Sequence, residues 1–200
     1  MKRAFDAALA GTGLILSSPL WLVFAALIKL EDGGPVFFAQ DRVGLGGCRF
    51  DALKFRSMRP DAEALTGAIQ ASARDPRVTR IGRFMRATAM DELPQLWNIL
   101  RGDMSFVGPR ALRPGEIETG ADGRLTRLEE VPGFEHRIKV RPGLTGLAQV
   151  YAPRDVPRRQ KFRYDRLYVN RRSWCLDLRL ILLSFWISVL GTWEVRGRKY

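Results

Sequence analysis

The chain has few of the residues that several common kinds of site require. Its 200 residues include two cysteines, Cys48 and Cys175, and one histidine, His136. Two distant cysteines exclude a disulfide scaffold, and the absence of a C-x-x-C pair or a Cys/His cluster argues against zinc. His136 has no evident partner for Ser–His or Cys–His catalysis. No phosphate-binding glycine loop is evident either, because segment 44–47 lacks the Gly-Lys-Ser/Thr that completes a P-loop.

Positive charge and apolar residues are plentiful. The chain carries 33 Lys and Arg against 21 Asp and Glu, a net charge of +12, and 46% of its residues are hydrophobic. This composition excludes a disordered chain and allows one domain with a sizeable core. The excess charge calls for an anionic partner, which could be nucleic acid, acidic lipid or a phosphorylated substrate.

The 22 residues from 7 to 28 contain no charged side chain. As a helix they would be just long enough to cross a bilayer core of ~30 Å. Pro19 interrupts the run at its middle, directly after Ser17 and Ser18, and basic residues flank both ends. Because positive residues prefer the cytoplasmic side, we favour a re-entrant helical hairpin that breaks at Ser18 and Pro19. A kinked membrane-spanning helix is the alternative.

A second apolar stretch covers residues 180–193 and is too short to cross a bilayer comfortably. Its tryptophans favour an amphipathic helix on the membrane surface, and a core helix is the competing interpretation. The first run is longer than the apolar part of a signal peptide and no persuasive cleavage site follows it, so we expect the body of the protein in the cytoplasm.

The body reads as a compact α+β unit. Strands are predicted at 36–40 and 49–55, joined at the glycine-rich segment 44–47 as a hairpin. The predicted helices are 60–70, 78–86, 88–100 and 114–131. In the third of these, Thr88 is the expected N-cap. Asp91 lies three residues later, where a capping box has its acidic residue.

Several arginines are candidates for phosphate binding. Arg77, Arg80, Arg83 and Arg86 recur every third residue, a spacing that also describes a solvated helix face or a contact with lipid headgroups. Two further turns combine glycine, proline and arginine, at Arg110 and at Arg141.

Asp91 and Glu92 are adjacent carboxylates close to these arginines. Helix capping explains most acids in such a position. Surrounding arginines would nevertheless keep a carboxylate anionic and nucleophilic, and a carboxylate pair suits Mg²⁺ together with substrate phosphates. Spacing alone leaves both interpretations open.

Taken together, six sequence blocks resemble the bacterial sugar transferase family, the monotopic polyprenyl-phosphate phosphoglycosyl transferases, in its minimal catalytic form. The resemblance covers about residues 1–193. The blocks are KRxxD from residue 2, SP at 18–19, KFRSM from 54, DELPQLxN from 91, RGDMSxVGPR from 101 and RPGLTG from 141.

The resemblance implies transfer of a sugar-1-phosphate from a UDP-sugar to undecaprenyl phosphate, with release of UMP. This would be the first membrane step of bacterial polysaccharide or glycoconjugate synthesis, such as exopolysaccharide or lipopolysaccharide. The implied location is the cytoplasmic face of the inner membrane, among anionic lipids. No nucleic acid is expected as a partner, and a homodimer is left open.

The resemblance also implies roles for single residues. Asp91 would be the nucleophile, and Asp91 with Glu92 would hold Mg²⁺. Four basic residues would bind substrate phosphates, namely Lys54, Arg86, Arg110 and Arg141. The family usually has a second proline after Val-Gly-Pro-Arg, where this chain has Ala111, so the turn at Arg110 is expected to be looser.

The predicted fold class is α+β and mostly helical, with interfacial amphipathic helices. Residues 1–30 form the re-entrant membrane helix, 31–176 the cytoplasmic catalytic domain, and 177–200 an interfacial helix with a basic tail. Two other functions stay open: a non-catalytic basic protein that binds membrane or nucleic acid, and a glycosyltransferase that releases UDP.

Overall fold

A computed structural model describes residues 1–60, 62, 75–119, 125–153 and 156–190. Helices predominate and the strands form small pairs, in agreement with the predicted fold class. The helices are α1 (Lys2–Asp32), α2 (Arg80–Thr88), α3 (Gln95–Arg101), α4 (Phe134–Arg137), α5 (Leu147–Tyr151), α6 (Arg158–Arg171) and α7 (Trp174–Val189). The strands are β1 (Phe37–Val43), β2 (Arg49–Phe55), β3 (Ser105–Val107), β4 (Ile117–Thr119), β5 (Leu125–Arg127) and β6 (Gly143–Thr145).

Helix α1 contains the whole first apolar run and carries Pro19 inside it. By length and composition it is able to cross a membrane. Proline cannot donate to the carbonyl four residues back, which is that of Ile15. The Ser18 hydroxyl donates to this carbonyl instead, at 2.8 Å. The serine therefore satisfies the group that Pro19 leaves free, as the Ser-Pro pair suggests.

The first turn of α1 is tied to the body by all three polar residues of its KRxxD block. Lys2 forms an ion pair with Asp177 of α7, and Arg3 donates to two carbonyls at the end of α3. The buried Asp6 accepts a hydrogen bond from the Ser105 hydroxyl of β3 at 2.8 Å. The block thus joins α1 to three separate elements.

The last turn of α1 contacts the same body. The Glu31 carboxylate accepts hydrogen bonds from the first backbone amides of α2, and Asp32 pairs with the buried Arg56. In the middle of the helix one face is buried at Ala10, Ser17 and Phe24, and the other is open, since Leu16 and Leu22 are each 75% exposed. Both ends of the apolar helix therefore bind one folded unit while its centre presents an apolar surface.

The predicted β-hairpin is confirmed. Strands β1 and β2 pair antiparallel from Phe37 opposite Phe55 to Val43 opposite Arg49. Gly46 and Gly47 in the connection have φ of 65° and 84°, a region that glycine adopts without strain.

Two of the predicted helices need correction, and a third cannot be assessed. The helix at 78–86 is confirmed as α2, whose N-cap is Thr79. The prediction of Thr88 as an N-cap was wrong, because Thr88 ends α2 and its hydroxyl bonds to the Phe84 carbonyl at 2.9 Å. The prediction for 60–70 lies outside the described residues, except for 60 and 62.

Segment 114–131 was predicted as a helix and is not one in its described part. It contains the antiparallel pair β4 and β5 and a 3₁₀ turn at Leu128–Glu130. Glycines at 115, 120 and 123 disfavour a helix here. The helix was predicted from the acidic composition of the segment, without weight given to these glycines.

Helix α7 includes most of the second apolar stretch, of which residues 191–193 lie outside the described part. One side is core, with Leu180 and Ile187 packed near Val107 and Tyr168. The other side is exposed at Leu182, Phe185 and Trp186. The core interpretation therefore holds for one face, and a membrane-surface role for the other face stays a prediction, as does the division of the chain at residues 30 and 176.

Candidate active site

The Asp91–Glu92 pair lies on a single 3₁₀ turn, Met90–Glu92, between α2 and α3. Ala89 ends α2 in the left-handed conformation with φ of 57°, and the chain reverses there. Asn98 of α3 accepts a hydrogen bond from the Leu53 amide at 2.9 Å and donates to the Asp51 carbonyl at 2.8 Å. The buried Asn98 thereby fixes the carboxylate turn against β2, the strand that carries Lys54.

Glu92 is held by two cations. Its Oε1 lies 2.5 Å from the Lys54 ammonium and 3.1 Å from the Arg110 guanidinium. Burial alone would raise the pKa of this carboxyl, but the charges of Lys54 and Arg110 outweigh it and hold the pKa of Glu92 well below its ordinary range. Glu92 is therefore a permanent anion at neutral pH.

Asp91 differs from its neighbour. Its exposed fraction is 7%, and both Lys54 and Arg110 direct their hydrogen bonds to Glu92 instead. Burial raises the pKa of Asp91 to about 6, although nearby cations, among them Arg86, oppose the shift through their charge. The result is a carboxylate that is ionised at neutral pH and poorly neutralised by direct contact, as a nucleophile should be.

The turn that carries Arg110 is built from backbone contacts between glycines. Strands β3 and β6 run parallel; β3 leads into Gly108-Pro109-Arg110, and β6 begins at Gly143 directly after Arg141-Pro142. A Cβ on Gly108 would lie 2.3 Å from the Arg141 carbonyl oxygen, and one on Gly146 would lie 2.1 Å from the Gly108 oxygen. Larger side chains do not fit there, so these glycines permit the close packing of the two blocks.

The carbonyls after the turn are also held. The Arg137 guanidinium donates to the Arg110 carbonyl at 2.5 Å, and Arg42 donates to the Ala111 carbonyl at 2.9 Å. The Val43 amide donates to the Leu112 carbonyl at 2.9 Å. The turn that Ala111 was expected to loosen is therefore fixed by hydrogen bonds at three successive carbonyls.

A cavity of about 1090 Å³ opens beside this group. Its polar lining includes Lys54, Arg86, Asp91, Glu92 and Arg110. Its apolar lining includes residues of α1, β1 and α7, namely Leu20, Phe37, Phe38, Ile181, Phe185 and Val189. The cavity thus joins a charged centre to apolar surface in one space, and its volume suits a nucleotide-sized ligand.

The arginine series separates in the structure. Arg77 precedes α2 and pairs with Asp75 at 2.7 Å, whereas Arg80 and Arg83 are exposed. Of the four, Arg86 lines the cavity.

Arg141 is not brought to the carboxylates. Its Nε donates to the Gly102 carbonyl at 2.7 Å, and it is not among the residues that line the cavity. The structure thus unites five of the six predicted site residues and leaves Arg141 apart.

Sequence reasoning missed three residues that shape the site: Arg42, Asn98 and Arg137. Arg137 is buried, pairs with Asp165 at 3.2 Å and stacks its guanidinium over Phe162 at 4.5 Å. None of the three stands in a charge series or beside Asp91 in sequence. Asn98 alone carried a signal, as the last residue of the DELPQLxN block.

Two adjacent carboxylates fit part of a Mg²⁺ shell. Among the described residues no group of three or more His, Cys, Asp or Glu side chains could hold a metal ion. Mg²⁺ commonly takes one or two carboxylates and completes its shell with water and substrate phosphates. Asp91 and the Glu92 oxygen not engaged by Lys54 would meet that requirement.

Arg86→Ala is expected to lower kcat/KM by about 10²-fold, because a cation at the cavity would no longer stabilise charge on a phosphate. Arg83→Ala is the matched control, one turn earlier on α2 and exposed to solvent. Steady-state kinetics on both variants tests this. Equal small losses would mean that the arginines of α2 supply only general electrostatics.

Comparisons with known proteins identify the family. The family model described as Bacterial sugar transferase matches residues 1–191. The chain is 43% identical over 190 residues to an undecaprenyl-phosphate glucose phosphotransferase of Komagataeibacter xylinus, covering 92% of this chain and 35% of that protein. It is 43% identical over 186 residues to the exopolysaccharide production protein PSS of Rhizobium leguminosarum, covering 90% and 91%.

A third relative is the UDP-glucose:undecaprenyl-phosphate glucose-1-phosphate transferase of Caulobacter vibrioides, 42% identical over 186 residues, with 90% of this chain and 67% of that protein covered. The chain thus spans about a third of the Komagataeibacter relative and nearly all of the Rhizobium relative. A family match over almost the whole length, on the blocks that build the carboxylate site, shows that the chain belongs to the bacterial sugar transferase family.

Proposed function

We propose that this protein transfers a sugar-1-phosphate from a UDP-sugar to undecaprenyl phosphate, with release of UMP. The names of its relatives supply the donor and the acceptor. One observation carries the proposal: Asp91 is buried in a cationic cavity while the adjacent Glu92 takes up the hydrogen bonds of Lys54 and Arg110. This leaves one carboxylate positioned as a nucleophile and the other as a fixed charge.

The first step is attack at phosphorus. A carboxylate oxygen of Asp91 forms a bond to the phosphorus that bears the sugar, and the bond from that phosphorus to the bridging oxygen breaks. The bridging oxygen leaves with the electron pair as part of UMP. Arg86 and Arg110 offset the repulsion between Asp91 and the anionic diphosphate and stabilise charge on the phosphoryl oxygens.

The second step regenerates the enzyme. A phosphate oxygen of undecaprenyl phosphate bonds to the same phosphorus, and the electron pair of the Asp91–phosphorus bond returns to the carboxylate. Asp91 and Glu92 are the residues that would hold Mg²⁺, which when bound supplies further neutralisation of phosphate charge. Two displacements through a covalent intermediate predict ping-pong kinetics.

The acceptor explains why the charged centre opens onto apolar surface. Its phosphate would lie among the cations, and its polyprenyl chain would contact the apolar lining from α1, β1 and α7. We infer that the enzyme works at the cytoplasmic face of the bacterial inner membrane, with anionic lipids around its basic surface.

The decisive experiment measures the nucleotide product. Purified protein in detergent or lipid is incubated with undecaprenyl phosphate and a panel of UDP-sugars, and the nucleotides are separated. UMP in equal amount to the lipid-linked product supports the proposal. UDP as the product would identify a glycosyltransferase, and no nucleotide release with any sugar would favour a non-catalytic membrane- or nucleic-acid-binding protein.

We further infer a re-entrant topology for α1, because both of its ends bind the same body while one face of its apolar middle, with Leu16 and Leu22, is exposed. Cysteines at the exposed positions Ala4 and Leu30, introduced singly with Cys48 and Cys175 replaced by serine, report the side of each end. In cells stripped of their outer membrane, a membrane-impermeant thiol reagent is expected to label neither until the cells are permeabilised.

Labelling of position 4 alone in intact cells would establish a spanning helix and overturn the re-entrant topology. Pro19→Ala tests the cause of the topology. If it still excluded the reagent from both ends and kept full activity, Pro19 would not be what returns the helix.

A further inference from the structure

A second group of cations, Arg42 and Arg113, lines the same cavity as Arg110. Arg42 of β1 lines the same cavity as Asp91, and the charges that act most strongly on it are those of Arg110 and Arg113. The cations that act on Asp91 are Lys54, Arg86 and again Arg110. Arg110 therefore belongs to both groups, whereas Arg42 is not among the cations that act on Asp91.

Arg42 has donors to spare, and the charges of Glu116 and Glu92 act on it from a distance. Its guanidinium donates to the Ala111 carbonyl at 2.9 Å and to the Gln40 side chain, both uncharged. Within the described part of the chain no carboxylate forms an ion pair with it. These two hydrogen bonds use two of the five guanidinium N–H groups of Arg42. The other three are available to a ligand in a cavity whose lining has more basic than acidic side chains.

Such a buried charge beside other cations is unfavourable. Burial, together with the positive charges of Arg110 and Arg113, lowers the pKa of Arg42 to about 10. A bound anion would relieve both the desolvation and the repulsion. Arginine is the side chain best suited to bind phosphate through two parallel hydrogen bonds.

The chemistry of the proposed reaction says which anion. Displacement at phosphorus is in line, so the leaving oxygen departs opposite Asp91. In the second step Asp91 is itself the leaving group, so the incoming acceptor oxygen must approach from that same opposite side. The phosphate of the departing nucleotide and the phosphate of the acceptor must therefore occupy one place in turn.

We propose that Arg42, together with Arg110, forms this shared second phosphate subsite, which holds first the phosphate that leaves with the nucleoside and then the phosphate of the polyprenyl acceptor. The inference rests on the proposed function and adds the residue and the subsite. Arg42 is a substrate-binding residue in this view, in addition to holding the loop of Arg110.

Binding of UMP and of uridine, measured by calorimetry on the purified protein, tests the subsite. Arg42→Gln is expected to weaken UMP binding at least tenfold and to leave uridine binding unchanged, because the two ligands differ only in the phosphate. Arg42→Lys keeps the charge without the paired donors and should lie between wild type and Arg42→Gln. The matched control is Arg49→Gln, on the same hairpin but 71% exposed and not in the cavity lining.

Kinetics test the shared use. The KM for polyprenyl phosphate should rise in Arg42→Gln by a factor similar to that for UMP binding, and UMP should inhibit the wild-type enzyme competitively against the acceptor. A raised UMP dissociation constant with an unchanged acceptor KM would overturn sharing. A lower kcat with unchanged UMP affinity would overturn the subsite and make Arg42 only a positioning residue for Arg110.

Failure of the proposed function has a different signature. In that case the wild-type protein would neither bind UMP nor release it from any donor, and both proposals would fall together. If wild type binds UMP and releases it while Arg42→Gln binds UMP equally well, only the subsite is wrong. Thermal unfolding of Arg42→Lys and Arg42→Gln shows whether either variant has a folding defect. The competition between UMP and the acceptor is measured on the wild type, so that test does not depend on how the variants fold.

Discussion

Asp91→Asn is expected to abolish UMP release, by about 10⁴-fold or more, because the amide cannot form the bond to phosphorus. The fold should survive the change. Burial raises the pKa of Asp91 to about 6, so its ionised form at neutral pH opposes folding, and a neutral side chain of the same shape removes that cost. The variant should therefore unfold at the same temperature as wild type or at a higher one.

Two measurements decide the role of Asp91. Mass spectrometry after incubation with donor alone should find a phosphosugar adduct in wild type and none in Asp91→Asn. Asp41→Asn, at a half-exposed aspartate of β1 outside the cavity lining, is the control and should keep both activity and adduct. UMP release near the wild-type rate from Asp91→Asn would exclude the covalent role.

Glu92→Gln should have the opposite effect on stability. It removes the charge that pairs with Lys54 and Arg110 and leaves both cations without the carboxylate that binds them directly. Loss of one partner from a buried ion pair costs about 3–5 kcal/mol, and we expect on the order of 2–3 kcal/mol here because the Arg110 side chain stays 46% exposed. Activity should fall by about 10²–10³-fold as Arg110 loses its anchor.

The stability difference should depend on pH. The pKa of Glu92 lies well below its ordinary value of 4.5 in the folded protein, so its stabilising effect is fully present above pH 4.5 and is lost as the pH falls further. Thermal unfolding of wild type and Glu92→Gln should differ most at neutral pH and converge in acid. Glu135→Gln, at an exposed position of α4, should match wild type throughout.

The same variant tests the metal. If Glu92 helps to hold Mg²⁺, wild-type activity should disappear in excess EDTA and return with Mg²⁺, and the residual activity of Glu92→Gln should depend less on the ion. Full wild-type activity in EDTA would contradict any role for Mg²⁺.

Short-range sequence signals predicted the features that depend on neighbouring residues alone. Glycines at 46 and 47 marked the hairpin turn because few other residues adopt positive φ. The adjacent acids at 91 and 92 were found as a pair, but spacing could not separate their roles. That separation comes from Lys54 and Arg110, which arrive from distant parts of the chain and both bind Glu92.

The errors have the same origin. Thr88 is a residue type that commonly caps helices, yet the preceding helix α2 extends to it. Its hydroxyl therefore donates to the Phe84 carbonyl of that helix. Arg141 stands in a turn like that of Arg110, but the packing of β3 against β6 directs it to the Gly102 carbonyl. No local sequence signal identifies Arg42, because its role depends on a cavity that forms only in the assembled fold.

The attachment of the first turn of α1 has a consequence for biosynthesis. Lys2 leaves the ribosome well before its partner Asp177, which lies 175 positions later in the chain. The apolar helix therefore reaches the lipid long before the segment that secures it has been translated. Bringing Lys2 and Asp177 together closes a long loop at a cost in chain entropy, and the contacts that offset this cost form only once α7 is present. Nascent chains that stop before Asp177 should hold the first turn of α1 loosely, with Lys2 open to proteases, and gain protection in a single late step when α7 emerges.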